Sequence, residues 1–419
     1  MTTLFPLTWK YLQSLDKEES NIYIKECKIP LGTKRPYYEY QEEIPEEEIV
    51  YIYFDPISKQ TTERNPFNGL IIGGSGDGKS QLMKLIWFFL QKAGYYCLYI
   101  DPKGTESGRA RRATTVGMNR LPPKISPEGI KLKHYLPTFA TRNFDHMIHN
   151  FHQYSIRLHN ITEKEMWRGL GATDLASLKF DEIVKEAGKE VTTAYLKGRI
   201  QELYELKQVN SQSFTSMYST ISDLDYHLIN EKYQELDLLS NFQQGNSICI
   251  SYNSCSFTWM SFDIGLKIYQ CARYFHDRNN RIPIMSFLDD SGHYAVHKKE
   301  ILKYNLAIEE ILNIGFVYRT VGLYNWMSVQ SLSIIDNRVA ETYRIKIITP
   351  SFNNPDSLNS INVPKRAIEI LKNRELLIDK ERKVMQYILV REDNSIQKFF
   401  PFMCPANHFQ EVYRPKDAS

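Results

Sequence analysis

The fold of this chain is decided by one segment, Gly73-Gly74-Ser75-Gly76-Asp77-Gly78-Lys79-Ser80. It fits the pattern G-x-x-x-x-G-K-[ST], in which glycines let backbone N–H groups converge on a chain of phosphates. Apolar residues 69–72 precede the segment, and a helical pattern begins at Lys79. This strand–loop–helix setting predicts a nucleotide-binding loop, with an ordinary glycine-rich turn as the alternative.

The loop has the groups needed to hold ATP together with Mg²⁺. The helix that follows directs the positive end of its dipole at the phosphates. Lys79 is expected to reach the terminal phosphates, and the Ser80 hydroxyl is expected to ligate Mg²⁺. The predicted nucleotide-binding residues are Gly73, Gly74, Ser75, Gly76, Asp77, Gly78, Lys79, Ser80 and Gln81.

Outward from the loop, short apolar runs alternate with helical stretches, the pattern of a parallel sheet wound by helices. Predicted strands cover residues 70–72, 95–100, 247–250, 282–288, 321–327 and 344–349. Predicted helices cover residues 79–93, 258–277, 297–313 and 364–373, and a hairpin is predicted over 384–391 and 396–402. We therefore expect an α/β fold with a doubly wound, mainly parallel sheet.

Three regions are predicted along the chain. Residues 1–65 form a short N-terminal extension with strands at 22–29 and 49–54, and residues 66–139 and 243–419 form the nucleotide-binding domain. Between these two parts, residues 140–242 keep leucines and aromatic residues at helical spacing, which predicts an all-helical insert. Such spacing is more typical of a helical core than of a cofactor site, so no site is predicted there.

Composition excludes several classes of protein. Hydrophobic residues make up 42% of the 419 residues and charged residues 24%, which is typical of a globular chain. The longest apolar run, residues 85–90, is far shorter than the roughly 20 residues that span a bilayer. The first residues lack the pattern of a signal peptide, so we expect a cytoplasmic protein (in the host cytoplasm if a virus or plasmid encodes it). The six cysteines form no C-x-x-C pair, so neither a zinc site nor thioredoxin-like chemistry is predicted.

A second motif supplies carboxylates. The apolar run at 282–288 ends in Asp289 and Asp290. Asp289 is predicted to hold the Mg²⁺ shell, and Asp290 to polarise the attacking water as general base. The alternative is that either residue only caps the next segment. Gln330 follows the strand predicted at 321–327, and it would sense the γ-phosphate if that strand neighbours the one that ends at Asp289.

These motifs, in this order, resemble the FtsK/HerA superfamily of ring-forming, DNA-pumping ATPases. The resemblance is carried by residues 68–80, by the strand ending in Asp-Pro-Lys-Gly at 98–104, by Phe-Leu-Asp-Asp at 287–290, and by residues 318–330. It implies a RecA-like domain, ATP as the nucleotide and a homo-hexameric ring around DNA. It also implies an arginine finger at Arg319, with Arg338 and Arg344 as competitors. Relatives such as conjugation coupling proteins carry an all-helical domain where this chain has its insert.

The chain departs from the family at three positions. Asp290 stands where the family usually has Glu, and Val329 where it usually has Thr. Asp77 stands where a Ser or Thr is common, and its charge would repel phosphate. We therefore expect the Asp77 side chain to face outward.

Basic residues concentrate after the second predicted strand. Residues 103–133 carry eight basic and two acidic residues, whereas residues 141–242 carry eleven basic and fifteen acidic residues. This split is hidden in the net charge of +3. Arginine-rich segments track phosphates without reading sequence, although a solvated loop or a subunit contact would have the same composition. The predicted DNA-contacting residues are Arg109, Arg111, Arg112 and Arg120.

The leading hypothesis is a motor that hydrolyses ATP and threads double-stranded DNA through a ring, as in viral or plasmid DNA packaging or transfer. One alternative is a secretion-type ATPase, similar to VirB4 relatives, that acts on protein at a membrane. Another is a nucleotide-binding scaffold that hydrolyses slowly. A capsid or a membrane channel is a possible partner, without insertion of this chain into the membrane.

Overall fold

The structure is a computed structural model. It describes residues 27–37, 43–54, 67–102, 121–123, 125, 129–143, 151–227, 233–252, 255–278, 282–295, 304–318, 322–333, 335–377 and 385–405. Within these ranges the strands form one twelve-stranded sheet, in the order β2-β1-β12-β11-β10-β3-β9-β8-β4-β7-β5-β6. The strands are β1 (Cys27–Thr33), β2 (Ile49–Phe54), β3 (Gly69–Ile72), β4 (Tyr96–Asp101), β5 (Leu132–Pro137), β6 (Phe151–Tyr154), β7 (Ser247–Ser251), β8 (Ile284–Leu288), β9 (Leu323–Val329), β10 (Ile345–Ile348), β11 (Tyr387–Val390) and β12 (Ile396–Pro401).

The sheet has a parallel and an antiparallel part. From β10 through β3, β9, β8, β4, β7 and β5 to β6, every neighbouring pair is parallel. Strands β11, β12, β1 and β2 continue beyond β10 as antiparallel pairs. The mainly parallel, doubly wound sheet expected from the sequence is confirmed.

Helices cover both faces of the parallel part. They are α1 (Lys79–Lys92), α2 (Lys164–Gly169), α3 (Asp174–Ala187), α4 (Thr193–Glu205), α5 (Ser211–His227), α6 (Leu238–Gln243), α7 (Phe257–Arg278), α8 (Leu306–Phe316), α9 (Asn337–Glu341) and α10 (Lys365–Lys372). Strand β3 illustrates the burial, since Leu70 and Ile72 belong to the core under α7 and α8 while Ile71 belongs to the core under α1. A strand buried on both faces needs the continuous apolar run that the sequence has there.

The structure corrects two boundaries. The region predicted as an all-helical insert, residues 140–242, contains strand β6, which pairs in parallel with β5 and extends the main sheet. Helices α2 to α5 follow β6 and form a third core that also packs on Phe262 and Leu266 of α7. In the N-terminal extension, the strand expected at 22–29 falls partly outside the described residues, and its described part, β1 at Cys27–Thr33, continues past the expected end and joins the same sheet beside β12.

Candidate nucleotide-binding site

Three neighbouring strands bring the predicted motifs to one edge of the sheet. Strand β9 lies between β3 and β8, with Ile72 paired to Val329 and Leu288 paired to Met327. The loop after β3, the carboxylates after β8 and Gln330 after β9 therefore leave the sheet at the same edge. Because neighbouring strands lie about 4.8 Å apart, the backbones of β3 and β8 are about 10 Å apart at this edge. The loop begins with a hydrogen bond of 3.1 Å from Gly73 N to the carbonyl of Val329.

The glycine-rich loop has the backbone that its sequence predicts. Gly76 and Gly78 have φ values of 84° and 80°, a left-handed conformation that glycine adopts without steric cost. Helix α1 begins at Lys79, which is buried. Its Nζ donates to the carbonyl oxygens of Gly73 at 3.0 Å and Gly74 at 2.5 Å. The ammonium group is thus folded against the loop, within reach of the space that phosphates would occupy.

The sequence led us to expect that the side chain of Asp77 faces outward, and this expectation is wrong. The side chain is half-buried. One carboxylate oxygen, Oδ2, accepts a hydrogen bond of 2.8 Å from the backbone N–H of Gly74. The same oxygen accepts hydrogen bonds from the hydroxyl groups of Thr349 and Ser351, which follow β10. These three donors offset the charge, which is why an acidic residue is tolerated in a phosphate-binding loop without pointing into solvent.

Asp289 is held in a fixed orientation at the end of β8. Its Oδ2 accepts from the Tyr99 hydroxyl at 2.7 Å, and its Oδ1 accepts from the Ser328 hydroxyl at 2.6 Å. The backbone N–H of Asp290 also donates to Oδ1, at 3.0 Å. Together these bonds use three of the roughly four acceptor positions of a carboxylate, so the group has an acceptor position for a metal while its plane is fixed.

Asp290 and Gln330 are in contact at the ends of β8 and β9, the two neighbouring strands on which the expectation for Gln330 depended. Gln330 Nε2 lies 3.2 and 3.0 Å from the two carboxylate oxygens of Asp290. His293 Nε2 lies 3.5 Å from Oδ2 of the same carboxylate. Asp290 has a left-handed backbone with φ of 41°, and its N–H donates to the Ser328 hydroxyl at 2.8 Å. The local turn therefore directs Asp290 toward Gln330 and away from Asp289.

A buried polar cluster that the sequence did not reveal extends the site toward β7 and β5. Ser251 Oγ lies 3.4 Å from Asp101 Oδ2 and 2.7 Å from His134 Nε2. Burial, aided by nearby His152, lowers the pKa of His134 to about 4, so the imidazole is neutral at pH 7. A neutral imidazole that donates through Nε2 would let the Ser251 hydroxyl donate to Asp101.

A buried lysine lies close to this cluster. Lys84 of α1 is only 1% exposed. Burial raises the pKa of the Cys249 thiol, with Asp101 adding to the rise and Lys84 opposing it, so both charged groups lie near this thiol. The signal in the sequence was a single lysine inside the apolar run of α1, but periodicity alone does not tell a buried lysine from an exposed one.

Several predicted residues lie outside the described part of the chain. These are the candidate arginine finger Arg319 and the predicted DNA-contacting residues Arg109, Arg111, Arg112 and Arg120. Of the two competing arginines, Arg338 pairs with Asp336 at 2.8 Å and with Glu309 at 3.6 Å. Arg344 lies 4.0 Å from Glu392. Both competitors thus have acidic partners in their own chain.

The described residues hold no group of three or more His, Cys, Asp or Glu side chains placed to bind a metal. A magnesium site needs only one or two protein ligands, since water and phosphate supply the rest, and Ser80 with Asp289 fits that requirement. Among the same residues, no helix is both long and apolar enough to cross a bilayer.

Solved structures with this fold are known. VirB4 of Thermoanaerobacter pseudethanolicus is similar with a TM-score of 0.54 and 12% identity, over 90% of this chain and 97% of that one. The bacterial conjugative coupling protein TrwBdeltaN70, in its trigonal form with sulphate, has a TM-score of 0.51 and 12% identity, over 92% and 97%. Plasmid coupling protein TrwB with the ATP analogue ADPNP is similar with a TM-score of 0.50 and 14% identity, over 82% of this chain and 88% of that one. No family model and no curated protein matches the sequence.

The sheet topology and the glycine-rich loop together define the fold class of this protein. The chain has the RecA-like fold of P-loop ATPases, in the form found in VirB4 and TrwB. The fold implied by the resemblance to the FtsK/HerA superfamily is therefore confirmed. At 12 to 14% identity the likeness concerns the fold alone, so activity has to be argued from the site.

Proposed function

We propose that this protein is a motor that hydrolyses ATP and moves double-stranded DNA through a ring of identical subunits. The observation that carries the proposal is the meeting of three motifs at adjacent strand ends. The phosphate-binding loop follows β3, Gln330 follows β9, and Asp289 with Asp290 follows β8. The same fold occurs in a bacterial conjugative coupling protein and in a plasmid coupling protein, and the resemblance of the sequence motifs to DNA-pumping ATPases favours DNA as the substrate of this chain.

Each side chain at the site has a distinct task. Lys79 binds the terminal phosphates and offsets their charge. Asp290 accepts the proton of the attacking water, and Gln330, which now donates to both Asp290 oxygens, orients that water or the γ-phosphate. A general base of this kind contributes about 10²- to 10⁴-fold in rate. Ser80 and Asp289 would hold Mg²⁺, which when bound neutralises charge on the phosphates.

The remaining parts of the proposal rest on sequence. Arg109, Arg111, Arg112 and Arg120 contact the DNA backbone, and Arg319 completes the site of the neighbouring subunit in a homo-hexamer. Arg319 directly follows Tyr318, whose hydroxyl donates to Glu310 of α8 at 2.7 Å. Helix α8 therefore fixes the point from which the chain continues to Arg319. A capsid or a membrane channel would be the partner that receives the DNA.

The decisive experiment measures ATP hydrolysis with and without duplex DNA. The wild-type protein should hydrolyse ATP faster when duplex DNA is added, and Lys79→Ala should lose the activity in both conditions. Asp290→Asn should still bind ATP but hydrolyse it at least about 10²-fold more slowly. Wild-type turnover by Lys79→Ala would contradict the site.

The same assay separates the alternative functions. Hydrolysis that no nucleic acid stimulates, together with capture of a membrane protein, would favour a secretion-type ATPase that acts on protein. Tight binding of ATP with very slow turnover would favour a nucleotide-binding scaffold. A six-fold ring around duplex DNA, seen by negative-stain microscopy with ATP, would support the motor.

A further inference from the structure

The phosphate-binding loop makes hydrogen bonds to residues of two further segments, the end of β10 and strand β11, which carry none of the proposed catalytic residues. The Asp77 carboxylate bonds to Thr349 and Ser351 after β10, as described above. The backbone carbonyl of Asp77 accepts a further hydrogen bond from the hydroxyl of Tyr387 in β11. Asp77 therefore connects the loop to β10 through its side chain and to β11 through its backbone. We call these contacts the Asp77 clasp.

The loop also fits closely against the two hydroxyl groups. A Cβ atom at Gly73 would overlap the side chain of Thr349, and a Cβ atom at Gly74 would overlap the hydroxyl of Ser351. These glycines are therefore needed for close approach, since the backbone of each lies directly against a side chain after β10. Close approach and hydrogen bonding fix the same part of the loop, so the clasp determines where the N–H groups of the loop lie.

Charge gives the clasp a second consequence. An ionised carboxylate beside a triphosphate would repel it, whereas at its observed position the carboxylate oxygen is surrounded by one N–H and two O–H donors. Hydrogen bonds to an ionised acceptor are roughly twice as strong as neutral ones. The carboxylate is therefore held against Gly74 and the end of β10.

We propose that Asp77 is a positioning residue that holds the phosphate-binding loop in the conformation that binds nucleotide. The inference rests on the proposed function in one respect, namely that the loop binds ATP. Asp77 acts through Gly74, Thr349 and Ser351 and needs no contact with the nucleotide. Loss of the side-chain contacts of the clasp frees the loop to sample other conformations, and the apparent affinity falls with the fraction of molecules in the competent conformation.

The first test measures the loop without nucleotide. Amide hydrogen exchange in the segment 73–78 should be faster in Asp77→Ala than in the wild type, because the donor of Gly74 loses its acceptor. Thr349→Val combined with Ser351→Ala should have the same effect. The control is Thr220→Val combined with Ser222→Ala, whose hydroxyls bond to carbonyls within helix α5, and it should leave exchange in the loop unchanged. Equal exchange in Asp77→Ala and the wild type would overturn the proposal.

The second test measures nucleotide binding. Asp77→Ala removes three hydrogen bonds to the carboxylate and should raise the Kd for a fluorescent ATP analogue by at least about tenfold, since the loss of a single hydrogen bond to a charged group has an effect of that size. Asp77→Asn keeps an acceptor oxygen and should recover at least half of that loss on a logarithmic scale. When Thr349→Val and Ser351→Ala are combined with Asp77→Ala, the Kd should rise little further, because both sets of substitutions break the same contacts.

The outcomes separate this proposal from the proposed function. If the wild-type protein binds no ATP, both are overturned. If the wild type binds ATP and Lys79→Ala does not, but a folded Asp77→Ala binds as tightly as the wild type, only the role of Asp77 is overturned. Failure of Asp77→Asn to recover affinity, or additive losses in the combined variant, would also overturn it.

Discussion

At the scale of single residues, Asp289 depends on hydroxyl groups that come from two other strands. Tyr99 of β4 and Ser328 of β9 each donate to one oxygen of the carboxylate. Tyr99 is itself fixed, because its ring stacks on Trp87 of α1 at a centroid distance of 4.8 Å. Groups that orient a metal ligand commonly change metal affinity by about 10- to 100-fold when they are removed.

This arrangement gives a prediction for Tyr99→Phe. The substitution keeps the ring in its stack and removes only the hydroxyl that orients Asp289. The concentration of Mg²⁺ that half-saturates ATP hydrolysis should therefore rise about tenfold. The control is Tyr252→Phe, because Tyr252 is also fully buried and donates to a carboxylate, that of Asp263, at 2.7 Å. Equal magnesium dependence in both variants would show that Tyr99 has no effect on the proposed magnesium site.

The site residues differ in how well the sequence predicts them. The sequence placed Gln330 near Asp289 only on condition that their two strands are neighbours, which β8 and β9 are, and it did not predict the contact of Gln330 with Asp290. The contact of the Tyr99 hydroxyl with Asp289 was not predicted either, because alternation along a strand shows which face a side chain occupies but not which atom it contacts. The prediction that the Asp77 side chain faces outward was wrong for a similar reason. Its partners Thr349 and Ser351 lie 272 and 274 residues further along the chain.

At the scale of elements, close packing of α7 against α8 depends on a glycine. A Cβ atom at Gly265 of α7 would lie 2.6 Å from Leu306 Cγ and 2.9 Å from the backbone nitrogen of Ala307. Real Cβ atoms do not approach so closely, so the two helices would have to move apart. In contrast, a Cβ atom at Gly198 in α4 would meet open space.

The two glycines therefore predict opposite effects of alanine. Gly265→Ala should lower the free energy of unfolding by about 1–3 kcal/mol, the usual cost of overpacking. Gly198→Ala should raise it by about 0.5–1 kcal/mol, because alanine favours the helix and nothing is displaced. Urea denaturation of both variants measures the difference. Stabilisation by Gly265→Ala would contradict the observed contact between α7 and α8.

Helix α8 also carries a buried acid whose ionisation should affect stability. Burial raises the pKa of Glu310 from 4.5 to about 7, although hydrogen bonds from Tyr318 and Asn313 oppose the rise. Between these pH values the folded protein keeps a proton that the unfolded chain has lost. The contribution of Glu310 to the free energy of unfolding therefore falls as the pH rises toward 7.

Replacement of Glu310 by Gln removes this dependence on pH. The stability of Glu310→Gln relative to the wild type should be higher at pH 8 than at pH 5, measured by urea denaturation at both values. Glu369→Gln changes an exposed acid on α10 and should give the same difference from the wild type at the two pH values. A Glu310→Gln difference that does not change with pH would refute the prediction.

Strands β5 and β6 were not predicted from the sequence. Their sequences are LKHYLP and FHQY, which mix apolar residues with Lys, His and Gln. The apolar run that predicts a buried strand is missing from both. In β5, His134 is nevertheless buried because Ser251 of the next strand satisfies its ring nitrogen. Such a partner is known only once the sheet is formed, whereas the strands with continuous apolar runs were predicted from those runs in the sequence.

At the scale of the whole molecule, the strand that precedes the basic segment in sequence ends beside the candidate nucleotide site. Strand β4 ends at Asp101, and β4 pairs with β8, which leads into Asp289. Residues 103–133 follow directly, with a net charge of +6, while the insert at 141–242 has a net charge of −4. Charge of one sign is thus concentrated in the sequence that continues from the ATP-binding edge, where movement of DNA and hydrolysis would have to be linked.

The last prediction tests whether this segment binds DNA. If Arg109, Arg111 and Arg112 each contact a phosphate, replacing all three with Ala should weaken duplex binding. It should also reduce the slope of log K against log salt concentration by up to about three units, because each contact releases about 0.9 of a counterion. Fluorescence anisotropy with duplexes of two unrelated sequences, over a series of salt concentrations, measures both effects. The loss should be the same for the two sequences, because contacts to phosphate do not distinguish bases.

A control of equal charge separates local contact from the overall field. Replacing Lys185, Lys189 and Lys197 of the insert with Ala also removes three positive charges, but from the acidic region of the chain. If only the total charge matters, both triple variants should lose the same affinity. If the arginines touch the backbone, only their removal should change the salt slope, since counterion release depends on the number of phosphates neutralised. Identical slopes for the wild type and the arginine variant would assign the basic segment to another partner, such as the acidic surface of a neighbouring subunit.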